Sequence, residues 1–292
     1  MCKKITTNAY SFASSKRLNI TIDYSNAIIV KLLATACHIF MKQTERHARI
    51  VKIVTHSGFA TIEELATQFD VTQQTIRRDL KELDNENKIQ RFHGGAGLNS
   101  STLNTSYSNR KISFLKEKQN IAKAVAEAIP DNASLFINIG TTTEAIAQAL
   151  LNHNNLTIIT NNLHVASILS TKDDFKIIIA GGVVRNRDGG VMGEATIDFV
   201  SQFKVDYAII GISGIDNTGD LLDFDFQEVC VSKAIIENSR NIFLAADHSK
   251  FGRDAMIRLG NIAEVHHVFT SATPSHAIKV ILDTNNIELT VC

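Results

Sequence analysis

The second half of the chain constrains its fold most strongly. Five short runs rich in apolar and β-branched residues, 135–139, 156–160, 175–180, 207–212 and 242–246, are separated by stretches of helical length. A short, near-continuous apolar run is what a strand buried on both faces requires. Strands that alternate with helices close through crossovers. The spacing therefore predicts a doubly wound α/β domain with a mostly parallel sheet. Residues 274–282 read as a late helix and 287–291 as a final strand.

In such sheets, ligands settle beyond the carboxyl ends of the strands. The run 135–139 leads into Gly140, Thr141, Thr142 and Thr143, and 156–160 into Asn161 and Asn162. The run 175–180 leads into Gly181 and Gly182 with Arg185 just beyond, and 207–212 into Gly214 and Asp216. The run 242–246 leads into Asp247 and Lys250. Glycine lets backbone approach a ligand, hydroxyls donate to it, and a helix N-terminus offers free N–H groups to a phosphate. A single glycine after a strand is most often only a turn. The convergence of five strand ends predicts a small phosphorylated or polyhydroxylated effector, with Arg185 and Lys250 as its charge partners.

The N-terminal part reads differently. Ile50, Ile53 and Val54 follow helical spacing from Gln43 to Thr55, and Ser57-Gly58 marks a stop. Thr61-Ile62-Glu63-Glu64 has the form of a capping box. A short helix follows, then a turn at Asp70-Val71 and a third helix capped by Thr72, in which Ile76, Leu80 and Leu83 form the buried stripe. This leaves Gln73, Gln74, Arg77, Arg78 and Lys81 largely outward, in a helix–turn–helix arrangement. Glutamine can bond adenine bidentately, and arginine can bond guanine or phosphate. The expected DNA-binding residues are therefore Thr72, Gln73, Gln74, Thr75, Arg77, Arg78 and Lys81. Arg91 and His93 join them from a hairpin or wing over 88–95. Asp79 reads as structural.

Composition bears on where such a protein works. The chain carries 30 Lys+Arg against 30 Asp+Glu, which excludes a polycationic coat but not a local basic face. Residues 41–98 hold nine bases and eight acids, and 99–292 hold sixteen bases and twenty-one acids. DNA affinity would thus come from clustering and from dimeric presentation. Cys2, Cys37, Cys230 and Cys292 show neither pairing nor metal-ligand spacing, so neither a disulfide framework nor a metal site is expected, and a reducing cytoplasm fits. No apolar stretch is long enough for a membrane span. Residues 1–40 carry five bases against the single acid Asp23 and show no sustained period. They read as a disordered arm or an upstream artefact of start-site choice, with the working protein beginning at Met41. The expected organisation is a 1–40 leader, a DNA-binding domain over 41–98, a polar linker over 99–118 and an effector and oligomerisation domain over 119–292.

Arg46, Ile50 and Val54, followed by Thr72, Thr75, Ile76, Arg77, Arg78, Asp79 and Leu80, resemble the helix–turn–helix signature of the DeoR family of bacterial repressors. The stretches NIGTTTEAIA, TNNLHVA, AGGVVRNRDGG, GISGID, EVCVSKAIIENS and ADHSKFGR are similar to that family's effector domain, which itself resembles sugar-phosphate isomerases. The resemblance covers essentially all of residues 41–292. It implies a winged helix–turn–helix domain followed by a doubly wound α/β effector domain, without a cofactor. Within the family the chain is most similar to members that govern glycerol metabolism. This implies a cytoplasmic, tetrameric repressor released from operator DNA by glycerol 3-phosphate, and it adds Glu228 and Lys233 to the effector residues. In one place the chain departs from the pattern. Where the family usually has a Lys-Arg pair, this chain has Ser232-Lys233, and Cys230 stands where relatives have an arginine. Lys233 lies on a different helical azimuth from the lysine that is lost, so an altered inducer affinity is expected.

Two other readings stay open on the residues alone. One is a sugar-phosphate isomerase-like enzyme, with Asp216, Asp223, Asp225 and Glu228 as candidate bases. The other is a degenerate sensor with an altered inducer. The stretch lacks a paired-acid motif and the DNA-binding signature is intact, so no catalytic residue is assigned.

Overall fold

The structure, a computed structural model, describes residues 43–55, 59–86, 88–92, 94–97 and 104–292. The 1–40 leader and His93 lie outside the described residues. Residues Ile50–Cys292 form one compact unit.

Helix α1 runs over 43–55. Strand β1 (Phe59–Thr61) leads into α2 (Ile62–Phe69), and α3 (Gln73–Asn85) follows. The capping box forms as expected: Glu64 N donates to Thr61 Oγ1 at 3.1 Å, and Thr61 N donates to Glu64 Oε2 at 2.8 Å. Asp70 closes α2 with φ 52°, a left-handed value that Asp tolerates better than most residues. The tight turn before α3 follows from it. Ile50, Val54, Leu65, Ile76, Leu80 and Leu83 are fully buried together, as their spacing requires. Asp79 is buried as well, in keeping with a structural role. Strands β2 (Gln90–Phe92) and β3 (Gly95–Gly97) form the wing, with β3 paired antiparallel to both β1 and β2.

The stretch read as a linker is built structure from Asn104 onward. It contains α4 (Tyr107–Ile112) and the start of α5 (Leu115–Glu127). Its polar residues make tertiary bonds: Asn109 Nδ2 donates to Phe59 O at 3.2 Å, and the Tyr107 hydroxyl donates to Glu144 Oε2 at 2.9 Å. Polarity here reflects hydrogen bonding to neighbours, which a one-dimensional reading takes for looseness.

The remainder is a seven-stranded sheet with every pair parallel. Its strands are β4 (Ser134–Ile137), β5 (Thr157–Thr160), β6 (Lys176–Ile179), β9 (Val205–Ile210), β12 (Ser239–Ala245), β14 (His267–Thr270) and β15 (Glu288–Val291), in the spatial order β15-β14-β12-β9-β4-β5-β6. Leu135, Ile137, Ile158, Ile209 and Phe243 face one apolar layer, with α5, α6 (Thr141–Leu150) and α7 (Leu163–Leu169). Phe136, Ile159, Ala208, Ile210 and Leu244 face the other, with α9 (Phe226–Glu237) and α10 (His276–Thr284). Alternation with both faces apolar is what gave the continuous runs in the sequence.

Strand β14 and three small elements were not legible. These are the hairpin of β7 (Val183–Arg185) and β8 (Gly190–Met192), helix α8 (Glu194–Val200), and a sheet of β10 (Gly214–Ile215), β11 (Asp220–Asp223) and β13 (Ile257–Asn261). The strands among them are short and carry Gly, Asp or Arg, and β14 opens on His267. Chain order runs outward from β4 to β6 and then restarts at β9 on the other side. The topological switch point therefore lies between β4 and β9.

Gly95 sits between the two partners of β3, where a Cβ would lie 2.2 Å from Ala60 O and 2.9 Å from Thr61 Cα. Both are backbone atoms of a paired strand and cannot yield. Gly95→Ala should destabilise the wing by roughly 1–3 kcal/mol, read as an earlier urea transition or as faster amide exchange in β1 and β3. Wild-type exchange rates in those strands would contradict this.

Candidate functional site

Two separate places hold the chemistry singled out in the sequence. The first is α3. At about 100° per residue, Gln73, Gln74, Arg77, Arg78 and Lys81 fall within an arc of about 140°, and Ile76, Leu80 and Leu83 occupy a distinct one. All five polar residues are exposed. Arg77 donates to Gln73 Oε1 at 3.2 Å, and Arg78 pairs with Glu82 at 3.3 Å. Exposed contacts of this kind are weak and exchangeable, so both arginines can turn to another partner. Thr72 and Thr75 are used differently. Thr72 Oγ1 accepts from Thr75 N at 3.2 Å and lies 2.9 Å from Thr75 Oγ1, so the two hydroxyls fix the start of the helix. Arg91 is exposed on the wing, and its N–H donates to Asp84 Oδ1 at 2.9 Å, tying the wing to α3.

The second place is the switch point. Gly140 begins α6 with φ 155°, and a Cβ there would lie 3.3 Å from Thr143 Oγ1. The first helical bond is donated by Glu144 N to Gly140 O at 3.0 Å, which leaves the N–H groups of Thr141, Thr142 and Thr143 without a helical acceptor. The side chains of these threonines are largely committed. Thr143 Oγ1 donates to Asn138 O at 2.8 Å, Thr141 Oγ1 donates to Arg110 O at 3.3 Å, and Thr142 is buried.

Lys118, Lys250 and Arg253 lie close enough to Arg110 to repel it. Arg110 meets the helix start through its carbonyl, which accepts from Thr141 Oγ1, and its guanidinium pairs with Asp188 at 3.3 Å. Burial, reinforced by the neighbouring cations and opposed by Asp247, pulls Lys250 down to about 7 and Lys118 to about 8. Burial and Arg110 bring Arg253 down to about 10. Asp247 is fully buried. Burial pushes its carboxyl up, but Lys250, Ser249 and Lys118 outweigh this and hold it below the usual range. Its Oδ1 accepts from Ser249, whereas Oδ2 has no hydrogen-bond partner. Burial raises the Asp223 carboxyl, which lessens its value as a counter-charge. Arg253 is aimed by Ser213 O at 3.1 Å, Asn104 Oδ1 at 3.0 Å and the face of Phe224 at 5.0 Å. Gly214 makes this possible, because a Cβ there would lie 2.1 Å from Arg253 O. The cluster sets one buried lysine and three half-buried cations near a helix N-terminus at the crevice expected beyond the strand ends, an arrangement suited to an anion.

Several residues expected at the effector do other work. Arg185 is closed into an acidic cage, with ion pairs of 2.7 Å to Asp188, 2.8 Å to Asp225 and 2.6 Å to Glu228. It is not a free partner for a phosphate. Glu228 belongs to that cage, and burial together with the charge of Asp223 raises it to about 7. Asn161 and Asn162 are buried. Asn161 Nδ2 donates to Val191 O at 3.1 Å, and Asn162 Oδ1 caps α7. Gly182 permits close packing, since a Cβ would lie 2.1 Å from Thr196 Oγ1, and Gly181 O accepts from that same hydroxyl at 2.8 Å. Asp216 organises a turn by accepting from Thr218 N at 2.8 Å and Asp220 N at 2.9 Å. Lys233 is exposed and lines a different groove of about 430 Å³ with Asp220, Glu237 and Arg258. Ser232, by contrast, reaches the switch point: its Oγ accepts from Asn138 Nδ2 at 2.8 Å and donates to Glu228 O at 2.8 Å.

Arg110, Lys118 and Arg253 are the crevice residues that the sequence reading missed. Lys118 had a detectable signal, because it shares the buried stripe of α5 with Ile121, Ala122 and Val125. A lysine on an apolar stripe needs a reason to be there.

An exposed reading helix with a wing, combined with a distinct cation-lined crevice in a doubly wound domain, is the plan of a DNA-binding regulator with its own sensor. Residues 46–102 match the profile of the DeoR-like helix-turn-helix domain, and residues 113–272 match that of the DeoR C terminal sensor domain. The chain belongs to the DeoR family. It is 54% identical over 252 residues to the glycerol-3-phosphate regulon repressor of Escherichia coli K12, a match covering 86% of this chain and 100% of that one. It is 49% identical to the protein of the same name from Haemophilus influenzae, covering 86% and 98%. Among solved structures, ribose 5 phosphate isomerase A from Neisseria gonorrhoeae aligns with a TM-score of 0.33 at 17% identity, over 46% of this chain and 52% of that one; nothing is built on so slight a likeness.

The lowered lysines give a pH dependence with a definite sign. Their folded values lie below the ordinary lysine value of about 10.4, so carrying the charge costs stability. That cost is fully present below about pH 7 and is relieved as pH rises toward the ordinary value. An anion reverses it by drawing protons in. Sulfate, whose own charge is fixed, should therefore bind at about pH 8 with net proton uptake that shrinks toward about pH 6. Calorimetry in buffers of different ionisation enthalpy measures this, and binding without uptake at the higher pH would contradict it.

Proposed function

We propose that this chain is a transcriptional repressor of glycerol 3-phosphate metabolism that leaves its operators when glycerol 3-phosphate fills the crevice. The observation that carries the reading is the set of desolvated cations at the start of α6 in a chain that also bears a reading helix. The N–H groups of Thr141–Thr143, with Lys118, Lys250, Arg253 and Arg110, hold the phosphate, and Asp247 offers a carboxylate oxygen to a hydroxyl. The identity of the ester is taken from the names of the relatives. Ser232 spends its hydroxyl on Asn138 and Glu228, so the cationic complement comes from α4, α5 and the segment after β12.

On the DNA side, Gln73, Gln74 and Arg77 approach base edges, while Arg78, Lys81 and Arg91 approach phosphates. Each chain offers one reading helix. Operator binding therefore uses a homo-oligomer, a tetramer in this reading, that spans half-sites about one helical turn or a multiple apart. The reading part covers 41–98 and the sensor part 119–292, joined by 99–118, and the protein works in the cytoplasm. Among the described residues no helix is long and apolar enough to cross a membrane.

One observation favours catalysis, the raised Glu228 carboxyl. A general base must reach a carbon acid, and this carboxylate is held by Arg185 at 2.6 Å and is mostly covered. The sensor is therefore assigned no turnover.

Two measurements test the reading. Glycerol 3-phosphate at about a hundred times its Kd should raise Tm by about 5–10 °C, and Lys250→Ala should abolish the shift. No shift with glycerol 3-phosphate alongside a shift with another phosphate ester would reassign the effector. Arg77→Ala should weaken binding to a DNA fragment selected by the wild-type protein by roughly 5–150-fold per half-site, with the thermal shift intact. Unchanged affinity would remove Arg77 from the reading face.

A further inference from the structure

Phe114 belongs to neither site, yet it touches both sides of the molecule. It precedes α5 with φ 53°, a left-handed conformation that a bulky aromatic residue rarely adopts. Such a residue persists only where its surroundings over-determine it. On one side its ring meets the edge of the His248 imidazole, with centroids 5.1 Å apart and planes at 79°. On the other side it lies 6.5 Å from the Phe59 ring on β1. A Cβ on Gly94, in the wing turn, would lie 3.3 Å from Phe114 Cε1. With Ile112, Gly94, Gln73 and Arg77 it lines a groove of about 700 Å³, so the wedge borders the start of the reading helix.

The elements behind Phe114 are those of the crevice. His248 opens the turn His248–Lys250, and both its N–H and its Nδ1 engage Ser271 Oγ at 2.9 Å. Lys250 ends that turn, and Phe114 O accepts from Lys118 N at 3.0 Å. Lys118 Nζ donates to Arg110 O, the carbonyl that also accepts from Thr141 Oγ1. The neighbouring Asn109 holds Phe59 O. Residues 109–114 are thus clamped to the crevice by Lys118 and Thr141 and to the reading domain by Asn109 and Phe114. An anion that competes for Lys118 and draws on Lys250 loosens the first clamp and acts on the turn that seats the Phe114 ring.

We propose that Phe114 is the positioning residue that couples the crevice to the reading domain. Occupancy of Lys118 and Lys250 shifts the His248 turn, the aromatic wedge leaves its seat against Gly94 and Phe59, and the wing and α3 move with it. This inference rests on the effector reading above. Packed elements with two discrete arrangements can amplify a small displacement in this way.

The test titrates a labelled fragment, selected by the wild-type protein from random-sequence DNA, with and without saturating glycerol 3-phosphate. Effector binding is measured separately by calorimetry. The wild-type chain should lose operator affinity by a factor in the usual range of about 5–150. Phe114→Ala should bind the DNA and the effector each within about threefold of wild type, with the release factor reduced to near one. His248→Ala, which leaves Phe114 packed on the reading domain, should reduce the factor in the same way. An unchanged release factor in both variants overturns the wedge alone. So does a Phe114→Ala protein that loses DNA or effector binding outright, while His248→Ala releases normally; that result would make Phe114 a structural residue. A wild-type chain that glycerol 3-phosphate does not release overturns the effector reading and the wedge with it.

Discussion

Much of this structure depends on the cost of holding Lys118 buried and Lys250, Arg253 and Arg110 half-buried beside one another. Burial lowers the first three, and mutual repulsion adds to the effect. Asp247 opposes the trend, whereas Asp223 is itself driven toward neutrality. Such a cluster is suited to an anion, because an arriving negative charge offsets a penalty that the fold already carries. The switch point adds the N–H groups of α6 to the same place, and the orientation of that helix follows from the order of the strands.

The charge distribution of the chain follows the same division of labour. Bulk neutrality conceals a reading face on a nearly neutral small domain and an acidic remainder. Part of that acidity serves inside the sensor, where Asp188, Asp225 and Glu228 enclose Arg185 and steady the β7–β8 hairpin against α9. DNA binding by a domain of so little net charge depends on where its few exposed cations stand.

The architecture was legible because its signals are local and periodic. Buried parallel strands produced continuous apolar runs, and the third helix showed its stripe at Ile76, Leu80 and Leu83 and its caps at Thr61 and Thr72. The exposed face of α3 was legible for the same reason, since an outward residue on a helix is fixed by its register. The candidate effector site was only half legible. Gly140, Asp247 and Lys250 could be placed because they follow strands. Arg185 looked identical in sequence to a phosphate ligand, and only the carboxylates that arrive from α9 reveal its actual partners. Arg110 and Lys118 were hidden in a stretch whose polarity suggested a linker.

The sequence by itself determined the two kinds of domain, the exposed face of α3 and the rim on which a ligand would settle, because hydrophobic period and capping act over a few residues. Tertiary structure decided which cations are closed into an acidic cage, which threonines and asparagines are spent on the backbone, and that Phe114 stands between His248 and the wing. These are contacts between residues far apart in the chain. Their energies depend on burial and on the company of other charges, which no local pattern records.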